Sequence, residues 1–328
     1  MKLHHYTKLV AGATLVLIVA GGLVTSTGSG LAVPDWPLSY GMLFPPMVGG
    51  ILYEHGHRMI AGTVAILTAI MALWLKLREP RRWVRRLGGL ALVAVILQAV
   101  LGGLTVIFLL PDAISIAHAC LAQTFFCLVV TIALVTSPGW TASSAQQAPA
   151  YFEDRSAPPL RVLALATFAA IYVQLVLGAL VRHMDAGLAI PDFPLAFGQI
   201  IPPLHAKTVA IHFAHRVWAV VVLALIVWTA ARTGRHHNHD RGILRPSMIL
   251  ATLVLVQILL GAATIWSRRA VPFATAHVAV GATLLATALV LAIRVGRASA
   301  AARVRADVRA PRAASSRAAA SMPSEARA

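Results

Sequence analysis

The feature that most constrains this chain is a series of eight apolar stretches, each long enough to cross a bilayer as a helix of about 20 residues. They lie near residues 8–27, 55–75, 87–109, 113–136, 160–182, 208–231, 246–266 and 273–295. Of the 328 residues, 59% are hydrophobic and only 12% are charged, which exceeds the apolar content that a soluble domain of this size can bury. We therefore predict an all-α integral membrane protein with eight transmembrane helices, in which the first stretch is retained as a helix.

The distribution of basic residues predicts the orientation of these helices. Lysine and arginine concentrate in the segments near residues 76–86, 232–245 and 297–317, which follow the second, sixth and eighth stretches. The positive-inside rule places these segments, and both termini, in the cytoplasm. The net charge of +17 is explained by this pattern, so it does not indicate a nucleic-acid partner. The expected location is the inner membrane of a bacterial cell.

The second half of the chain repeats the first. GLAVPDWPLSYG at 30–41 returns as GLAIPDFPLAFG at 187–198, an offset of 157 residues. The match extends to three helical motifs: Glu54-x-x-His57-Arg58 with His212-x-x-His215-Arg216, Gln98-x-x-Leu101-Gly102 with Gln257-x-x-Leu260-Gly261, and Ala117-His118 with Ala276-His277. An even number of helices in each copy predicts two tandem four-helix bundles related by a pseudo-twofold axis along the membrane normal.

This repeat sets the predicted domain boundaries. Residues 1–137 form the first bundle, 138–159 a cytoplasmic linker, 160–296 the second bundle, and 297–328 a basic tail. We expect the tail to be disordered and held near anionic lipid by its charge, because it has few large apolar residues.

Four histidines, His57, His118, His215 and His277, are predicted at one depth near the outer surface, because each follows the start of an inward-running helix. Histidine inside a membrane span is costly and needs a partner. Two imidazoles facing each other across a bundle suit the two axial positions of a porphyrin iron. Two other interpretations are a hydrogen bond to a neighbouring helix and a zinc site, although zinc usually takes three or four protein ligands.

Other residues near these histidines fit a flat apolar ligand. Small residues occur in the odd-numbered helices: Gly21-Gly22, Gly102-Gly103, Gly178-Ala179 and Gly261-Ala262. Glutamines precede three of these pairs by four residues, at Gln98, Gln174 and Gln257, where the first helix has Leu17. We expect the glutamines to hydrogen-bond either the histidines or the helix backbone.

Two arginines stand beside histidines at the outer boundary. Arg58 follows His57 directly, and Arg216 follows His215 directly. A guanidinium in this position is suited to pair with the propionate groups of a porphyrin. The alternative is that both arginines anchor the helices to lipid headgroups.

The two copies differ near the first histidine of each bundle. Glu54 stands where the second copy has His212, and a carboxyl at this depth is costly unless it is paired or takes part in chemistry. The second copy instead carries Arg182, His183 and Asp185 in its predicted outer loop. We predict that the first bundle performs chemistry and that the second holds a permanent electron-carrying heme.

Together these motifs resemble the heme A synthase family. The resemblance is carried by GGLVTSTGSGLAVPDWPL, EHGHRMIAG, QAVLGGLTV and the Ala117-His118 helix, with the echo AIHFAHR…TAHVAVG, and it covers roughly residues 8–295. It implies an eight-helix membrane enzyme that oxidises the C8 methyl group of heme O to a formyl group. The implied route is successive hydroxylations, the second giving a gem-diol that loses water.

The resemblance also implies roles for individual residues. His57 and His118 would meet the substrate heme, Glu54 would be the essential carboxylate, and His215 and His277 would ligate a heme b cofactor. The implied partners are heme O, the lipid membrane, heme O synthase and cytochrome oxidase assembly factors. The electron donor is not identified, and a homo-oligomer is left open.

The chain departs from the family pattern at one place. Many members carry a cysteine pair in the first outer loop, where this chain has Val33 and Ser39. Any thiol chemistry of that pair is therefore not transferred to this chain.

Two other functional classes compete with the enzyme. A non-catalytic diheme b-type cytochrome with bis-His irons explains all four histidines but gives Glu54 no task. A transporter built from parallel repeats predicts polar residues at the membrane midplane, whereas here they concentrate at the outer end.

Overall fold

Eight long helices dominate the computed structural model, which describes residues 2–141, 154 and 156–320, with side chains as far as Arg303. The helices are α1 Leu3–Ser26, α2 Gly50–Arg78, α3 Arg82–Ile107, α4 Asp112–Val135, α5 Leu160–His183, α6 Lys207–His236, α7 Arg241–Trp266 and α8 Val271–Ala320. All eight are long and apolar enough to cross a membrane. The predicted all-α class and the eight predicted spans are confirmed.

Some boundaries differ from the predicted ones. Helix α2 begins at Gly50 rather than near 55, and α5 continues through Arg182 and His183, which were predicted in a loop. We expected a disordered tail from 297, but helix α8 continues to Ala320. Alanine and arginine, which are abundant there, are strong helix formers. Most of the predicted linker (142–153 and 155) and residues 321–328 lie outside the described residues.

The helices pack as two neighbouring groups of four. In the first group α1 packs on α2, α2 on α3 and α3 on α4, and α4 closes the ring against α1; α5 to α8 repeat this order. Helices α1 and α4 of the first group meet α5 and α8 of the second. This arrangement fits the predicted tandem bundles; the pseudo-twofold axis and the domain boundaries stay predictions.

Each group has its own apolar core. Both cores lie at the end of the bundle that the charge pattern predicts to be cytoplasmic. The first core draws on the early part of α1 and the late part of α2, including Val10, Met71 and Leu75. The second repeats this with residues such as Leu163 and Ile226. Close packing at that end leaves the opposite half of each bundle to hold the histidines.

The short turns at the outer end repeat as well. The turns before α4 and α8 each place two consecutive residues in the left-handed region, ending at Leu110 with φ 60° and at Arg269 with φ 69°. The Leu110 N–H donates to the Thr105 carbonyl at 2.7 Å, and the Arg269 N–H donates to the Thr264 carbonyl at 2.7 Å. The repeat therefore extends from sequence to backbone conformation.

Candidate functional site

Each of the four histidines packs against a glycine of the preceding helix. A Cβ atom added to these glycines would lie 3.2 Å from His57 Nε2 at Gly21, 3.1 Å from His118 Cε1 at Gly102, 3.3 Å from His215 Cε1 at Gly178, and 3.2 Å from His277 Cε1 at Gly261. Separations this short are tighter than ordinary van der Waals contact, so each ring position depends on the absence of a side chain. All four rings lie about two turns into their helices, at matching depth.

Three of the four histidines also contact a glutamine, as the sequence predicted. The Gln98 amide donates to the His118 carbonyl at 3.0 Å, and the Gln174 amide donates to the His215 carbonyl at the same distance. Gln257 Nε2 lies 3.2 Å from His277 Nε2. His57 has no such contact within the described part of the chain, because Leu17 occupies the corresponding position.

The histidines form two pairs, one in each bundle. His57 and His118 lie on α2 and α4 of the first group, and His215 and His277 lie on α6 and α8 of the second. All four rings are half-buried, and the Nδ1 atoms of His118 and His277 are buried without a hydrogen-bond partner among the described residues. An imidazole pair in each bundle, with every ring set against a bare glycine, has the chemistry to hold a porphyrin iron.

A multi-ligand metal site is not what these residues form. Among residues 2–141, 154 and 156–320, no three or more histidine, cysteine, aspartate or glutamate side chains gather closely enough to hold a metal ion. His212 and His215 share a helix, but the His212 Nδ1 atom accepts a hydrogen bond from a loop N–H. The imidazole donors thus come as pairs.

The repeated loops 30–41 and 187–198 have the same internal hydrogen bonds. Two carboxylates each accept from two backbone N–H groups: Asp35 from Tyr40 at 2.6 Å and Gly41 at 2.8 Å, and Asp192 from Phe197 at 2.7 Å and Gly198 at 2.8 Å. Gly41 (φ 70°) and Gly198 (φ 71°) are in the left-handed region that favours glycine. The N–H bonds from Gly41 and Gly198 lower the pKa values of Asp35 and Asp192.

In the first bundle, Glu54 and Arg58 tie this loop to α2. The Glu54 side chain is buried, and its Oε1 atom accepts from Arg58 Nη2 at 2.6 Å while Oε2 accepts from the Val33 N–H at 2.8 Å. Arg58 Nη1 donates to the carbonyls of Asp35 at 2.7 Å and Leu38 at 2.8 Å. Arg58, which the sequence suggested as a partner for a porphyrin propionate, thus donates to acceptors in the loop. Its role in binding a propionate stays a prediction.

The second bundle repeats this connection with neutral partners. Arg216 donates to the Leu195 and Ile190 carbonyls, each at 3.0 Å. The Ile190 N–H donates to His212 Nδ1 at 3.3 Å, as the Val33 N–H does to Glu54. His212 therefore takes the place of Glu54 as the loop acceptor, without a carboxylate to pair with Arg216.

The aromatic residue of each loop reaches the third helix of its bundle. The Trp36 ring lies over Gly103, where an added Cβ would be 2.6 Å from the ring. Phe193 meets Trp266 edge-on, with ring centroids 6.2 Å apart. Each loop therefore covers the histidine end of its own bundle.

Sequence reasoning missed one buried polar pair. Ser39 Oγ of the first loop lies 2.8 Å from His55 Nδ1 of α2, and both residues are buried. The matching positions in the second bundle are Ala196 and Phe213, which belong to an apolar cluster. The sequence feature that could have revealed this pair is His55 itself, because it lies next to Glu54 and has no histidine counterpart in the second copy.

A second missed residue lies between the bundles. Arg182 Nη2, on α5, donates to the Gly22 carbonyl and to Ser26 Oγ of α1, both at 2.8 Å. Ser26 Oγ also accepts from Thr275 Oγ1 of α8 at 3.1 Å. A single arginine near the end of an apolar stretch was the available signal, but the sequence did not indicate its partners.

The chain is similar to known proteins over most of its length. Residues 48–289 match the family model described as cytochrome oxidase assembly protein. A heme A synthase of Halalkalibacterium halodurans is 30% identical over 299 residues, which cover 87% of this chain and 94% of the relative. A heme A synthase of Symbiobacterium thermophilum is 32% identical over 255 residues, 74% of this chain and 80% of the relative.

A third relative, a heme A synthase of Bacillus licheniformis, is 29% identical over 270 residues, which cover 81% of this chain and 86% of the relative. The family model spans both histidine pairs and runs from α2 into α8. The chain therefore belongs to the cytochrome oxidase assembly protein family whose members include the heme A synthases.

Proposed function

We propose that this protein is a heme A synthase that oxidises the C8 methyl group of heme O to a formyl group in its first bundle, using a heme b held in its second bundle. The observation that carries this proposal is the set of four glycine–histidine contacts, arranged as one imidazole pair in each bundle. Family membership supports the reaction and the substrate, and the matching histidine positions support one heme site in each bundle.

The second bundle would hold heme b through His215 and His277. Heme b would supply one-electron chemistry there, and coordination by both imidazoles would suit electron transfer. Gln174 and Gln257 support this pair by holding the turn or ring of each histidine. Both histidines of the second bundle therefore have a partner that keeps them in place.

The first bundle would receive heme O between His57 and His118. Gln98 donates to the His118 carbonyl, whereas the His57 side chain makes no hydrogen bond to the described residues. One firmly held and one less constrained imidazole suit a substrate that has to enter and leave. In a permanent cofactor site, by contrast, both histidines would be expected to have a partner that fixes them, as His215 and His277 do.

Glu54 would transfer protons at the mouth of the first site. It lies three residues before His57, and residues at this spacing share a helix face. Conversion of a methyl group to a formyl group removes hydrogen from the carbon, so protons have to leave the site. Arg58 and the Val33 N–H hold the two carboxylate oxygens in a defined position for this task.

The membrane setting follows from the eight spans and the charge pattern. We place the protein in the inner membrane of a bacterial cell with both termini cytoplasmic and the histidines near the outer face. Heme O is a membrane-soluble substrate, which suits delivery through the bilayer from heme O synthase or an assembly factor.

Pigment analysis tests the proposal. The protein is expressed together with heme O synthase in cells that lack their own heme A synthase, and hemes are extracted and separated. We expect formyl or hydroxymethyl heme from the wild type. Extracts containing only heme B and heme O would contradict the proposal and favour a non-catalytic diheme cytochrome.

Two variants in the same cells test the division between the bundles. His277→Ala should lose tightly bound heme b, whereas Glu54→Ala should keep heme b and lose the oxidised product. Full activity in both variants would contradict the assigned roles.

A further inference from the structure

Arg182 lies at the outer end of α5, between the two candidate heme sites. It follows Gly178, the glycine that contacts His215, by four residues, so both face the same side of α5. Its Nη2 group crosses to the first bundle and donates to the Gly22 carbonyl and Ser26 Oγ. Gly22 directly follows Gly21, which contacts His57.

The same cluster reaches the remaining helix of the second site. Ser26 Oγ accepts from Thr275 Oγ1, and Thr275 stands two residues before His277 on α8. The Arg182 guanidinium is thus anchored among backbone and side-chain oxygens of α1, one turn outward from the level of the histidine rings. The propionate edge of a porphyrin gripped near the outer face would lie at this level.

The charge of Arg182 has no counter-ion among the described residues. The ion pairs there join Arg58 to Glu54, Arg81 to Glu79 and Arg269 to Asp185. The nearby Arg269 repels the charge of Arg182, and Asp185 is already paired with Arg269 at 3.6 Å. A half-buried cation at this position in a membrane protein is costly unless an anion pairs with it.

The Arg182 guanidinium also has donors to spare. Its described hydrogen bonds use Nη2 only, so Nη1 and Nε have no acceptor within the described part of the chain. Arg58, by contrast, gives Nη1 to two loop carbonyls and Nη2 to Glu54. Arg216 gives both amino groups to loop carbonyls.

We propose that Arg182 binds a propionate carboxylate of a porphyrin at the boundary between the two bundles. This inference rests on the proposed function, because it takes the ligand to be a heme. A guanidinium fixed through one amino group presents its remaining donors in a planar fork that matches a carboxylate. In this arrangement Arg58 and Arg216 hold the loops, and Arg182 is the cation that pairs with the propionate.

The test compares a porphyrin that has carboxylates with one that does not. Protein is expressed in heme-limited cells, purified in detergent and titrated with hemin or with hemin dimethyl ester, and binding is followed by the Soret band. We expect the wild type to prefer hemin over the ester by about ten- to hundredfold, the size of a charge-assisted hydrogen-bonded pair. Arg182→Gln should reduce this preference to about threefold or less, and Arg182→Lys should fall between the two.

A matched control makes the same arginine-to-glutamine substitution elsewhere on α5. Arg161→Gln removes an exposed arginine from the inner end of the same helix, so it should keep the wild-type preference. An Arg182→Gln protein with the wild-type preference would overturn the inference. So would a wild type that binds both porphyrins equally, whether or not the variants fold. A wild type that gives no Soret change with hemin would overturn the proposed function as well, which separates the two failures.

Discussion

The two bundles share one framework and differ where chemistry is expected. Both set histidines against glycines, and both cover their outer end with a loop held by an arginine. In the first bundle the buried acceptor for the loop N–H is the carboxylate of Glu54; in the second it is the imidazole of His212. In the proposed function, the shared parts would hold a porphyrin, and the carboxylate that only the first bundle has would transfer protons.

The surroundings of these acceptors differ in the same direction. The first loop contacts α2 through the polar pair Ser39–His55, whereas the matching residues of the second loop and α6 are Ala196 and Phe213, which lie in an apolar cluster. A uniformly apolar support and glutamine contacts suit a permanent cofactor. A more polar support and a less constrained His57 suit a site that exchanges its ligand and moves protons.

The largest effect is expected from removing the charge that distinguishes the first bundle. Glu54→Gln keeps an oxygen acceptor for the Val33 N–H but loses the carboxylate, so heme A formation should fall by about 100-fold or more, the usual scale of general acid–base catalysis. Heme b content should stay at the wild-type level. Product formation in membranes, normalised to protein, measures this.

The equivalent change in the second bundle is the control. His212→Gln also keeps an acceptor for its loop N–H, and we expect product formation to change by less than about threefold because no acid–base step is lost there. Equal losses in both variants would show that the two positions do the same work.

The next effect comes from filling the space beside a histidine. A Cβ atom 3.2 Å from His277 in Gly261→Ala, or 3.1 Å from His118 in Gly102→Ala, has to displace the ring. Overpacking of this kind costs about 1–3 kcal/mol, so Gly261→Ala should weaken heme b retention and Gly102→Ala should weaken the substrate site instead. Heme content after detergent washing and product formation distinguish the two.

Gly12→Ala is the matched control on α1, because no heavy atom lies within 4 Å of the added Cβ. This variant should keep heme b and activity. Retention of heme b by Gly261→Ala at the wild-type level would show that the contact does not position His277.

A smaller effect should come from the pair Ser39–His55. Ser39→Ala leaves His55 Nδ1 buried without a partner, which should lower the free energy of unfolding by about 1–3 kcal/mol. Ser39→Ala combined with His55→Phe copies the second bundle and should recover most of the loss. Thermal unfolding in detergent measures both variants, and a double variant less stable than the single one would contradict this account of the pair.

The smallest difference between the bundles is expected in the Asp35 and Asp192 turns. Backbone N–H bonds lower both pKa values from the ordinary 3.8, so the turns are stabilised above that pH and lose this stabilisation as pH falls through the lower folded values. Hydrogen exchange of both loop peptides, corrected for its intrinsic pH dependence, should show constant protection from pH 8 to about pH 5. Loss of protection in that range in one loop only would contradict their equivalence.

The sequence was sufficient to predict the eight helices and the equivalent positions of the four histidines. Apolar stretches of membrane length and a repeat that keeps His57, His118, His215 and His277 in step leave little choice of architecture. The start of α2 at Gly50 was not predicted, because Glu54 and His55 interrupt the apolar pattern even though the helix is already formed there.

The contacts of the long polar side chains could not be predicted. Arg58 reaches carbonyls of the loop before it, and Arg182 bonds Gly22, 160 residues away along the chain. A guanidinium on a flexible stem has many acceptors within reach, and the packing of neighbouring helices decides among them. Spacing in sequence carries no such information.

The most direct test of the account is the heme content of the protein purified from cells that make heme B but no heme O. The wild type should carry a low-spin heme with two imidazole ligands, seen by optical and electron paramagnetic resonance spectra. His215→Ala and His277→Ala should each lose that heme, while His57→Ala and His118→Ala should keep it. A colourless wild type, or equal loss in all four variants, would contradict the assignment of one imidazole pair to each bundle.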